Sequence, residues 1–178
     1  MRFNYFLLNL AVVMVLVLAL GLLQTTVWYQ LFYPVTSPNF WLPVVVYLSL
    51  YRSLRSSLVS IYVVGLFLAA MTSQPIYLLF LSLIFLYFST QIIRVKFFWA
   101  GASYFVIVST VAVPVYHFLD WVFSLNFEIN YLRSPRLGAW FFEIIMMPVI
   151  APVLFAIMRK IDELTRLQGP NEYGIESL

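Results

Sequence analysis

From Phe3 to Thr25 the chain carries no charged side chain and is almost wholly aliphatic or aromatic. A helix needs about 20 such residues to cross ~30 Å of hydrocarbon, so this segment reads as a membrane span. Runs of the same kind follow over Pro75–Ile93 and Phe97–Phe118, and over Gly138–Met158 with Glu143 as its single charged residue. Across 178 residues, hydrophobic types make up 63% and charged types 10%, against about 45–50% and 25% in a soluble domain. A water-soluble enzyme of this size could not hide that much apolar surface. The expected fold class is an all-α membrane protein.

The stretch from Pro38 to Thr72 is apolar except for Arg52 and Arg55 at its middle. A single helix would sink both arginines, at ~2.5–3.5 kcal/mol each on insertion scales. Two helices meeting at Tyr51–Ser56 place both in water, and this reading brings the count to six transmembrane helices. Six spans with both termini cytoplasmic put Arg2, Arg52, Arg55, Arg94, Lys96, Arg159, Lys160 and Arg166 inside, eight of the ten basic residues, and leave Arg133 and Arg136 outside. The positive-inside rule favours that arrangement over five spans. Indole prefers the membrane boundary; Trp28, Trp41, Trp121 and Trp140 fall at expected outer ends and Trp99 at an inner one. Pro38–Tyr51 is short for a crossing, and the aromatic loop before it (Trp28, Tyr29, Phe32, Tyr33) is expected to lie in the interface.

The apolar run Phe6–Leu23 exceeds the ~7–15 residues of a signal core, so an uncleaved first helix is expected. Ser73-Gln74-Pro75 reads as a tight outer turn, with Pro75 as a first helical residue. Leu119–Leu137 reads as the largest outer loop, broken by Pro135. Arg159–Gln168 alternates charges with Ile161, Leu164 and Leu167, as a helical extension would. The domain reading is one six-helix unit over 1–168, with a disordered tail over 169–178.

Residues able to carry chemistry are few. Cys is absent, which excludes disulfides and thiolate sites. His117 is the only histidine, which excludes a two-histidine zinc motif. The six glycines are too dispersed for a phosphate-cradling loop, and no serine has the setting of an intramembrane serine protease. The basic residues are scattered, without the aromatic interleaving that suits nucleic acid. No catalytic role, metal or cofactor is expected.

Polar groups at membrane depth are candidate sites. Glu143 lies five residues past Gly138, about 7–8 Å into the last span. His117 and Asp120 are three apart and share a helix face. Glu143 could pair with His117, or snorkel outward, be protonated, or meet Arg133 or Arg136. Asn9 and Gln91 read as helix–helix hydrogen bonders on the cytoplasmic side. Pro43, Pro114, Pro148 and Pro152 lie inside spans, and each leaves a carbonyl four residues earlier without its donor. The pair Pro148 and Pro152 could line a polar cavity or simply kink the last helix. Gly65 and Ala69 form a small-xxx-small pair on a stripe with Ser53 and Ser57, fitted for close packing against another helix or a partner.

Three stretches carry a family likeness: Ser37-Pro38-Asn39-Phe40-Trp41-Leu42 with the apolar run to Tyr47; Val64-Gly65-Leu66; and Pro152-Val153-Leu154-Phe155 followed by Met158-Arg159-Lys160. With them, the chain resembles the bacterial rod shape-determining protein MreD family. One departure is plain: the family often carries an Asp at the end of its third span, where Gly65–Met71 holds no acid. The resemblance implies a non-catalytic scaffold in the bacterial inner membrane. Its implied partners are the bitopic protein MreC and an elongation complex with the filament protein MreB, the glycosyltransferase RodA and a penicillin-binding transpeptidase. It also implies a six-helix architecture similar to the substrate-binding subunits of energy-coupling-factor vitamin transporters. That similarity supplies the alternative function, in which His117, Asp120, Glu143, Trp121 and Trp140 would line an outer pocket. The Ala-x-x-x-Ala docking signature of those subunits is missing, since Val15 stands between Ala11 and Ala19.

Overall fold

The computed structural model describes residues 2–72, 74–97, 101–127 and 137–165. Every regular element among them is helical. Ser73, Trp99, Arg133, Pro135, Arg136, Arg166 and the tail 169–178, for which the sequence carries expectations, lie outside the described residues.

α1 (Arg2–Leu22) passes through a π turn (Leu23–Val27) into α2 (Trp28–Phe32). The Thr25 hydroxyl donates to the Gly21 carbonyl at 2.9 Å, and such competition for a backbone acceptor favours a widened turn. The helix then continues, so the aromatic stretch expected as an interfacial loop is helical as far as Phe32. Trp28 holds it in place: its ring packs on Phe32, Phe40 and Phe142, and its Nε1 donates to the Val35 carbonyl.

After a non-helical segment the chain forms α3 (Leu42–Tyr51), breaks at Arg52 and Ser53, and continues through α4 (Leu54–Met71), α5 (Ile76–Phe97), α6 (Ala102–Phe127) and α7 (Leu137–Leu164). Five helical stretches, Asn4–Phe32 and α4 to α7, are long and apolar enough to cross a membrane; α3 is not. The chain is thus built as a multi-pass membrane protein, with large apolar side chains such as Val15, Phe88, Ile107, Phe141 and Val149 turned outward.

α3 spans only about 15 Å, yet every residue from Leu42 to Leu50 is buried. It packs against α4, α5, α6 and α7. A short helix is tolerable here because protein, rather than lipid, surrounds it. Pro43 sits in its first turn, where a missing N–H breaks no helical bond; it is not an interior proline. One other boundary also differs from expectation: α6 continues to Phe127 through much of the expected outer loop, whereas α7 runs helical into the charged extension as far as Leu164, as expected.

α7 shows what positions the polar groups. Its buried residues are Glu143, Met147, Ala151, Leu154, Met158, Ile161 and Asp162, a single i, i+3/i+4 stripe. One carboxylate stands at each end of it. Nineteen residues separate them, about 28 Å along the axis, close to the ~30 Å hydrocarbon thickness. On α4, Gly65 meets α5: a Cβ there would come within 2.7 Å of Phe80 and 3.1 Å of Leu83. The small-residue pair therefore serves internal packing, with Ala69 partly buried against the core.

Candidate functional site

The polar side chains gather in two networks, one at each end of the bundle. The first surrounds Glu143, which α7 buries. Glu143 Oε1 accepts the backbone N–H of Asn39 at 2.9 Å, and Oε2 accepts the Asn39 side-chain amide at 3.3 Å. His117 Nε2 of α6 is hydrogen-bonded to Oε2 at 2.7 Å, and its ring stacks on Trp140 at 5.3 Å between centroids. Gln24 Nε2 donates to Asn39 Oδ1 at 3.3 Å. The pairing of Glu143 with His117 is realised, and Asn39 and Gln24 are additions the sequence reading missed. Their chemical logic lies in α3. The segment before it has no helical partners for its N–H groups, and an unpaired N–H at membrane depth costs several kcal/mol. Glu143 supplies the acceptor.

Asp120 shares the end of α6 with His117 but turns to a different neighbour. Gln74 Nε2 donates to Asp120 Oδ1, and the Tyr116 hydroxyl donates to Gln74 Oε1 at 3.3 Å. Trp121 packs on Phe118. His117, Glu143 and Trp140 are thus packed on one another, with Asp120 directed to the start of α5. Pro148 and Pro152, for which the sequence leaves both a polar cavity and a simple kink open, are exposed on α7 outside its buried stripe. The stripe places their neighbours Met147 and Ala151 inward and the prolines outward.

The second network was not foreseen. Arg52, expected in water, is 5% exposed and lies against Asp162, which is 2% exposed. Arg52 Nη2 donates to Asp162 Oδ1 at 2.5 Å and to Asn9 Oδ1 at 2.8 Å. Asn9 Nδ2 in turn donates to Asp162 Oδ1 at 2.9 Å and to Thr165 Oγ1 at 2.7 Å. The Tyr47 hydroxyl donates to Asp162 Oδ2 at 2.9 Å. The physical reason for the burial is the counter-charge: a guanidinium leaves water only where a carboxylate and further hydrogen bonds replace it. Arg55, three residues on, is exposed as expected. Asp162 was readable in principle, because it closes the apolar stripe that begins at Glu143.

The same end satisfies the last carbonyls of α3, which have no helical donors. Gln91 Nε2 donates to the Ser49 carbonyl at 2.7 Å, and Arg94 Nη1 to the Arg52 carbonyl at 3.2 Å. Asn9 and Gln91 thus act between helices, as expected. Both ends of α3 are held by side chains from other helices: Glu143 before it, Gln91 and Arg94 after it, Asp162 through Arg52 and Tyr47. Among the described residues, no group of three or more histidine and acidic side chains is arranged to hold a metal ion.

Compared with known protein families, with curated proteins and with solved structures, the chain matches none.

Proposed function

We propose that the chain is a non-catalytic membrane scaffold that crosses the bilayer six times, with α3 as the short second crossing and both termini cytoplasmic. The observation that carries this reading is the use of the buried charges. Arg52, Asp162 and Glu143 all bond across helices to hold α3 in place. Groups bound to one another in this way serve architecture before chemistry. The positive-inside distribution supports the orientation.

The resemblance to the MreD family supplies the partner for such a scaffold: an MreC-like bitopic protein, with MreB, RodA and a penicillin-binding transpeptidase around it, in the bacterial inner membrane. Affinity purification of the full chain from mild detergent is the test. Co-purification of the MreC-like protein, and rounding of rod-shaped cells on depletion, are the expected results. Normal rods with a defect in vitamin uptake would overturn the scaffold in favour of a transporter subunit.

A further inference from the structure

A groove of about 360 Å³ opens between α4 and α5, at the lower end of the ~300–1,000 Å³ typical of ligand sites. Leu58, Val59 and Tyr62 line it from α4, and Leu83, Ile84 and Tyr87 from α5. Leu58, Val59, Tyr62 and Ile84 are exposed, so it opens outward, toward lipid in a membrane. Its surface is almost wholly apolar.

Arginines flank one end of this groove. Arg55 lies three, four and seven residues before Leu58, Val59 and Tyr62, on the same face of α4. Arg94 lies seven residues beyond Tyr87, on the groove-lining face of α5. The bond from Arg94 Nη1 to the Arg52 carbonyl brings its guanidinium to the α3–α4 break, three residues from Arg55. Neither arginine forms an ion pair among the described residues, and neither α4 nor α5 carries an acidic residue. The Ser56 hydroxyl next to Arg55 is buried and has no hydrogen-bond partner among the described residues. Tyr62 lies about 10 Å along α4 from Arg55, within the ~15 Å depth of one leaflet.

From this juxtaposition of unneutralised cations with an outward-opening apolar groove one leaflet deep, we infer that the α4–α5 face binds an anionic phospholipid. One acyl chain lies along the groove, and the headgroup phosphate meets Arg55 and Arg94. Charge complementarity selects the occupant: an apolar partner helix would fill the groove but leave both guanidinium groups without an anion. A basic residue at the membrane surface attracts anionic lipid by ~1 kcal/mol, which is about fivefold in binding.

The test uses the purified full chain in bilayer discs of equal phosphatidylglycerol and phosphatidylcholine, re-extracted into mild detergent, with retained lipids counted by native mass spectrometry. Phosphatidylglycerol is expected to be retained over phosphatidylcholine. Arg55→Gln, an exposed position, is expected to lower phosphatidylglycerol retention about fivefold and leave phosphatidylcholine unchanged. Ile84→Trp, which fills the groove, is expected to lower retention of phosphatidylglycerol. Equal retention of the two lipids by the parent chain, or full phosphatidylglycerol retention by both variants, would overturn the proposal. So would a co-purifying polypeptide that occupies the groove and excludes lipid.

Discussion

At the scale of single residues, the chain places an arginine and an aspartate where neither could stay charged alone. Removing one partner of a buried pair strands the other, at a cost of about 3–5 kcal/mol, whereas replacing both with apolar residues is often neutral. Asp162→Leu is therefore expected to lower stability by that amount, and Arg52→Leu with Asp162→Leu to recover most of it, as read by thermal unfolding in detergent through a double-mutant cycle. Glu143 makes a graded case. Glu143→Gln keeps an acceptor for the Asn39 N–H, while Glu143→Leu keeps none. The leucine variant should lose ~1.5–3 kcal/mol, and the glutamine variant clearly less. Glu143 stood out in the sequence because a carboxylate inside an apolar run is conspicuous. Asp162 did not, because Arg159, Lys160 and Glu163 surround it and make its segment read as solvated. Only the helical phase, continued from Met158 and Ile161, separates Asp162 from them.

At the scale of elements, α3 is the unusual piece. It is too short to cross a membrane alone, and side chains from α5 and α7 hold its ends. The sequence showed its apolar character and the break after Tyr51. It did not show that the residues before Leu42 are non-helical or that Asn39 needs an acceptor, since that follows from which helices enclose it. The last turns of α6 were hidden for a related reason: Asp120, Ser124 and Asn126 are loop-like in composition and become helical because Ser124 packs inward. Close packing of α4 on α5 gives an element-scale prediction. Gly65→Leu is expected to destabilise by ~1–3 kcal/mol through overpacking, and adding Phe80→Ala should restore part of the loss, both measured by thermal unfolding. Pro148→Ala and Pro152→Ala, on the outward face of α7, should leave stability undiminished in the same assay, since alanine suits a helix better than proline.

At the scale of the whole molecule, two polar networks lie at opposite ends of one apolar bundle, separated along α7 by about the thickness of the hydrocarbon. Membrane character was legible from composition alone, because no arrangement of so apolar a chain is soluble. The path of the chain was legible only as far as charge asymmetry carries it, and the proposed sixth crossing rests on α3, a short helix whose ends are held by side chains of α5 and α7. The most direct test of that crossing places single cysteines on either side of α3, at Thr36→Cys and Ser53→Cys, both exposed positions in a chain with no cysteine of its own. Intact cells treated with a membrane-impermeant thiol reagent should label Thr36→Cys, and Ser53→Cys only after permeabilisation. Labelling of both positions from the same side would contradict the account.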